Sequence, residues 1–141
     1  MDSNRRLTEK LLRYWLQLRG EKPFPPESAI DRNILADIWE SCFLVKLGAS
    51  ANSYTHLGKN LIEAFGGDMT KADTALFLAS PFTAYIEENF TEAVKTHKPV
   101  TDEGLEPNSH KAMIKYRVVL LPLGDKKITH ILGAMRWQKS L

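Results

Sequence analysis

Leu7, Leu11, Tyr14, Trp15 and Leu18 recur at steps of three and four residues, and Leu12 and Leu16 widen the stripe. That period predicts an amphipathic helix from about Leu7 to Arg19. Glu9, Lys10, Arg13 and Gln17 form its narrow wet face. Gly20 is placed to end it, and Pro23, Pro25 and Pro26 cannot continue it. The stripe is broader than one packing contact needs. A second short helix is expected over about 32–40, capped by the Asp31 side chain, with Ile34, Leu35, Ile38 and Trp39 as its buried side.

The period then shortens. Cys42 to Leu47 and Ser53 to Leu57 read as two strands of a hairpin, joined by the small, polar run Gly48 to Asn52. Asn60 to Phe65 predicts a short helix ended by Gly66-Gly67, and Asp73 to Ala79 another. Phe82, Tyr85, Ile86, Phe90 and Val94 predict a longer helix from about Ser80 to Thr96, with Pro81 near its start, where a missing N–H does no harm. Three strands follow: Val100 to Leu105, Met113 to Leu123 and Ile128 to Trp137. Two hairpins flanking a helical middle argue for an α+β chain, an antiparallel sheet with helices on one face. The expected division is a helical extension over 1–40 and a core over 41–141.

Composition narrows the function classes. A chain of 141 residues fits one domain, and 43% apolar with 26% charged residues is ordinary globular usage. A net charge of +2 gives no field for gripping nucleic acid. Arg5, Arg6, Lys10, Arg13, Arg19 and Lys22 make the start locally basic, but Asp2, Glu9 and Glu21 interrupt the run, which reads as a solvated face. The single cysteine, Cys42, has no partner for an internal disulfide. No apolar run has signal-peptide or membrane-spanning length. The expectation is a reducing cytoplasm, with no membrane and no nucleic-acid partner.

The order of elements and several short motifs together resemble a family. Tyr14-Trp15, Leu18-Arg19-Gly20 and Ile30-Asp31 look like the opening of the short, stand-alone PAS-like proteins found mainly in alphaproteobacteria. Tyr54 to Gly58, Leu61, Phe65-Gly66 and Asp68-Met69-Thr70 are similar to that family's second strand and first core helix. Leu120-Leu121-Pro122-Leu123 and Ile131-Leu132-Gly133-Ala134 look like its closing hairpin. The resemblance implies a five-stranded antiparallel sheet in the order 2-1-5-4-3 and a small pocket between sheet and helices. It also implies a sensory or protein-contact role.

Flavin-photosensing members of that family need a cysteine in the central helices, and Asn60 to Ser80 contains none, so a cysteine adduct is not expected. Haem-bearing members use a histidine from the long helix, and His97 lies just past its expected end, so haem is not expected either. Cys42, on the first strand, reads as an inert core thiol.

The resemblance turns Tyr54 and His56 inward. His56 then either touches a pocket ligand or bonds a backbone carbonyl as a core histidine, unless it sits at a strand edge in water. Phe65, Phe77, Phe82 and Tyr85 are the candidates for the helical wall of a pocket. Tyr116, Met135 and Trp137 are candidates for its floor, with Gly133 leaving room beneath the helices. Leu132, Ala134 and alternate residues of Val118 to Leu121 supply the outer sheet face, which the leading helix covers. The surplus residues Leu12 and Leu16, with Trp15, are candidates for contact with a second copy or a regulatory protein. The last strand ends close to Leu141, so any signal is expected to leave through the N-terminal helix or the surface.

Enzyme motifs are missing: no Gly-x-Ser-x-Gly, phosphate loop or His-Glu-x-x-His occurs. His56, His97, His110 and His130 lack ligand spacing for a metal. Glu87-Glu88 and Asp102-Glu103 read as exposed charges. Three readings compete: a regulatory module binding a small molecule, a ligand-free interaction or dimerisation module, and a small cone-fold isomerase or hydrolase.

Overall fold

The leading stripe forms helix α1, Ser3–Arg19, and Gly20 ends it with φ of 55°. The computed structural model describes residues 3–71 and 78–140. The expected helix Asp73 to Ala79 therefore falls almost wholly outside the described residues, as does Phe77. Strands β1 (Cys42–Lys46) and β2 (Ser53–Leu57) form the first hairpin. A 3-10 turn, Lys59–Leu61, leads into the single helical turn α2, Ile62–Phe65, which Gly66 closes with φ of 88°. Helix α3 spans Pro81–Thr96. Ser80 caps it in a reciprocal box: the Thr83 amide donates to Ser80 Oγ (3.2 Å), and the Ser80 amide donates to Thr83 Oγ1 (3.0 Å). Strands β3 (Val100–Pro107), β4 (Met113–Gly124) and β5 (Ile128–Ser140) complete the chain, each running past its expected end.

The expected helix over 32–40 is not formed. Residues 32–38 make successive turns, and a 3-10 turn spans Trp39–Ser41. Asp31 Oδ1 accepts only from the Asn33 amide two residues on (2.9 Å), a local turn that competes with a helix cap. Leu35, Ile38 and Trp39 are buried as expected, but Ile34 is 60% exposed. The apolar surface spans a single turn, too little to offset helix nucleation.

All four strand pairings are antiparallel, in the order β2-β1-β5-β4-β3. Alternation divides the strands between two cores. Phe43, Val118, Leu120, Ile131 and Met135 face α2 and α3. Leu44, Val119, Leu121, Leu132 and Ala134 face α1, which brings Leu7, Leu11 and Trp15 down onto them. Full burial of each of the Val, Leu, Ile, Phe and Met side chains among these is worth about 1.5–3 kcal/mol.

Pro122 introduces no bulge: it pairs with Ile131 in regular register, and the register shift lies between Leu123 and Gly124. β3 begins opposite Leu120 and does not reach Pro122. The Pro122 carbonyl instead accepts from Trp15 Nε1 (2.9 Å), tying α1 to the sheet.

Candidate functional site

The space between sheet and helices holds a chain of aromatic rings. Phe43 meets Phe65 at 5.8 Å between centroids, Phe65 meets Phe82 at 5.1 Å, and Phe82 meets Tyr116 at 5.3 Å, all near edge-to-face. Such pairs stabilise beyond their buried area. The space expected beneath Gly133 is taken by the Phe43 ring: a Cβ on Gly133 would stand 2.2 Å from Phe43 Cζ. Met135 is buried in the same cluster. Trp137 sits half-buried at its margin and donates from Nε1 to the Asn60 carbonyl (2.7 Å).

Two residues expected in this group lie elsewhere. His56 does not share a face with Tyr54. Leu44 pairs with His56 and Val45 with Tyr54, so β2 carries Thr55 as an extra residue between them. One extra residue reverses the parity of a strand. Tyr54 and Leu57 therefore join the inner cluster, while His56 stacks on Trp39 at 4.2 Å on the outer side. Its Nε2 lies 3.0 Å from the Trp39 carbonyl. Tyr85 is 51% exposed rather than part of the helical wall. The buried stripe of α3 is Phe82, Thr83, Ile86, Phe90 and Ala93, and the capping box turns Thr83 inward instead. Val94, also expected on that stripe, is exposed.

The polar groups at the cluster's edge are unequally partnered. Tyr54 Oη is buried close to the Glu87 carboxylate, without a hydrogen bond of regular geometry to it. Burial, aided by the nearby Glu87 carboxylate, raises its phenol well above the ordinary value. Asn52 Nδ2 donates to Glu87 Oε1 (3.1 Å), so loop, helix and Tyr54 meet there. Asn89 Nδ2 donates to Asp102 Oδ2 (2.9 Å), which the Tyr116 hydroxyl approaches at 3.4 Å. Burial first, then Asp102, raises the Tyr116 phenol too.

Asn108, absent from the sequence-based candidates, is fully satisfied. Its Nδ2 donates to the carbonyls of Glu63 (3.2 Å) and Ala64 (3.1 Å), and its Oδ1 accepts from the amides of His110 (2.9 Å) and Ala112 (3.1 Å). It fastens the end of α2 to the β3–β4 turn. Pro107-Asn108-Ser109 is a turn signal in the sequence, but nothing there gives the partners.

On the outer side, Trp15 is buried within the chain, against its expected place in an interface. Leu12 is half-buried against the outer cluster, and Leu16 is 44% exposed. Cys42 is buried in this outer cluster and donates from Sγ to the Ile38 carbonyl (3.3 Å). Burial pushes its thiol up to about 12, with Asp37 adding to the effect, so it stays protonated. The His97 ring packs edge-on to Phe24, 5.5 Å away, in the outer cluster rather than the inner one. Among the described residues no three His, Cys, Asp or Glu side chains converge as metal ligands, and no helix is long and apolar enough to cross a membrane.

Among the described residues, surface clefts lie beside α1 and over the last three strands. One of about 470 Å³ lies between α1 and the 31–38 turns, lined by Arg6, Lys10, Arg13, Tyr14 and Ile34. Two more, of about 780 Å³ and 660 Å³, lie over β3, β4 and β5. Of the pocket candidates among the described residues, Tyr116 and Trp137 line one of them, the larger of the two over the strands.

Comparison with known proteins agrees with this geometry. No curated protein matches the sequence. Among solved structures the chain is similar in fold to a light-oxygen-voltage domain studied with a flavin analogue (TM-score 0.55, 12% identity, 77% of this chain and 83% of that one). It is likewise similar to the Rhodobacter sphaeroides LOV protein (TM-score 0.50, 11% identity, 77% and 68%). A third is the dark-state LOV domain of the blue-light photoreceptor Aureochrome1 (TM-score 0.50, 13% identity, 77% and 81%). At these identities the likeness is one of fold. A family model described as PAS domain matches residues 3–136. With that match spanning nearly the whole chain, over a sheet ordered β2-β1-β5-β4-β3, this protein belongs to the PAS domain family.

Proposed function

We propose that this chain is a regulatory PAS module whose output is protein contact, made by α1 and the outer face of the sheet. One observation carries the reading: Leu16 stays 44% exposed on a helix whose other large apolar residues are seated, and it adjoins half-buried Leu12. The aromatic cluster supports it from the other side, because Phe43, Phe65, Phe82 and Tyr116 pack on one another as a core. Site-specific photocrosslinking in the host, from position 16 and from position 85, tests the reading. Position 85 is equally exposed but lies on α3, beyond the sheet. A discrete protein adduct from position 16 and none from position 85 is expected. No adduct from position 16, or the same adducts from both, overturns the reading.

A second reading, a small polar ligand in the interior, is favoured by the buried Tyr54 hydroxyl, whose approach to Glu87 lacks regular hydrogen-bond geometry. Tyr54→Phe separates the two. If the hydroxyl has no partner, its loss raises stability by about 1–2 kcal/mol in denaturant melts, since an unmet buried group costs that much. A fall in stability means that the hydroxyl has a partner, and a fall seen in protein purified from its host but not after refolding from denaturant assigns that partner to a bound molecule rather than to Glu87. The enzyme reading gains nothing from His56, whose ring nitrogen is engaged by the Trp39 carbonyl.

A further inference from the structure

Four side chains follow one flank of α1 at steps of three, four and three: Glu9, Leu12, Leu16 and Arg19. Helical geometry sets them within about a quarter of the circumference, to one side of Leu7, Leu11 and Trp15, which face the sheet. Leu16 is 44% exposed and Leu12 half-buried. A cleft of about 660 Å³ opens on this flank, where Thr8, Glu9 and Leu12 meet Thr101, Glu103 and Val119. The half-buried Arg19 reaches back over the Trp15 ring, 5.5 Å away. The spacing of the four reads the same in both directions. Reversed about position 14, Leu12 falls on Leu16, and Glu9 falls on a residue of opposite charge, Arg19.

We infer that α1 pairs antiparallel with α1 of a second copy about a two-fold axis, Leu12 of each chain against Leu16 of the other and Glu9 of each against Arg19 of the other. The inference rests on the protein-contact reading above and names the partner. A two-fold interface presents one patch to itself, so every contact in it occurs twice. Antiparallel packing brings opposite charges together at both ends of the seam. Parallel packing would set Glu9 on Glu9 and Arg19 on Arg19, and like charges at facing positions repel. A uniformly acidic or uniformly basic partner would meet a like charge at one end. Within one chain Glu9 and Arg19 stand about 15 Å apart along the helix axis, beyond the screening length of about 8 Å at physiological salt. Any coupling between these two positions therefore comes from across an interface. Two short helices make a small interface, so the dimer is expected to be weak and concentration-dependent.

Sedimentation equilibrium of the full chain at low salt, over a range of concentrations, is expected to show this reversible dimer. Glu9→Arg and Arg19→Glu are each expected to weaken it about tenfold or more, because each places like charges at both ends of the seam. The two variants are then mixed in equal amounts. One chain now carries Arg at both positions and the other Glu at both, so a mixed pair again has opposite charges at each end. The mixture is expected to dimerise about as tightly as the native chain. Should Arg19→Glu fail to fold for want of its contact with Trp15, Leu12→Cys and Leu16→Cys keep the test open. Under oxidised glutathione their mixture is expected to form a disulfide-linked dimer faster than either variant alone, Cys42 being buried. A native chain that stays monomeric at every concentration overturns the inference. So does a charge-reversed mixture no tighter than its components, or a cysteine mixture that links no faster than they do. In the photocrosslinking experiment above, the adduct from position 16 is expected at twice the mass of the chain. An adduct with a different protein removes this inference alone, and no adduct removes the reading beneath it.

Discussion

Single side chains decide how firmly the interior is closed, and Gly133 and His130 are the two most exposed to test. The Phe43 ring stands where a Gly133 side chain would be, and a rigid ring amid other rings has little room to move. Gly133→Ala is therefore expected to destabilise the chain by about 1–3 kcal/mol or more, read from denaturant midpoints. His130 carries a pH dependence. Burial, the largest influence, holds its imidazole below the ordinary 6.5; Glu27 acts against that and Lys46 with it. The unfolded chain thus takes up this proton more readily than the folded one. The contribution to stability is complete above pH 6.5 and is lost as pH falls through the lower folded value. Melting temperatures taken from about pH 7.5 down to about pH 5 should fall more steeply for the native chain than for His130→Gln.

At the scale of elements, α1 is held by three buried side chains, the Trp15 indole bond, a Tyr14 hydroxyl that accepts from the Asp31 amide, and the Lys10–Asp37 ion pair. Trp15→Ala removes both the largest of those side chains and the donor to Pro122. A loss of about 3–5 kcal/mol is expected in equilibrium unfolding. Trp15→Phe, which keeps most of the ring area but not the N–H, should cost markedly less. The helices and strands were legible because their periods are long: α1, α3 and all five strands lie where the spacing of apolar residues puts them. The stretch over 32–40 was misread because turn and helix share the same contacts when the apolar surface spans one turn. His56 was misplaced for a different reason. A bulge leaves no mark in the order of residues, yet one extra residue at Thr55 turns the next side chain to the opposite face.

At the scale of the molecule, the two-sided sheet was legible from alternation: Leu132 and Ala134 on one face, Ile131 and Met135 on the other. The filling of the interior was not, because aromatic residues at helical spacing describe a packed core and a lined pocket equally well. Only the three-dimensional packing sets the Phe43 ring under Gly133 and the Tyr54 hydroxyl beside Glu87. The facing of Arg117 and Arg136 escaped sequence reading because they belong to different strands.

The bond from Trp15 to Pro122 spans 107 positions of sequence. During synthesis α1 leaves the ribosome long before the strands that form its seat. Its greasy stripe must wait in water, or in the grip of a chaperone, until β4 and β5 have paired. Docking of this helix is thereby a late event in maturation, and whatever delays the last hairpin leaves the nascent chain open to aggregation.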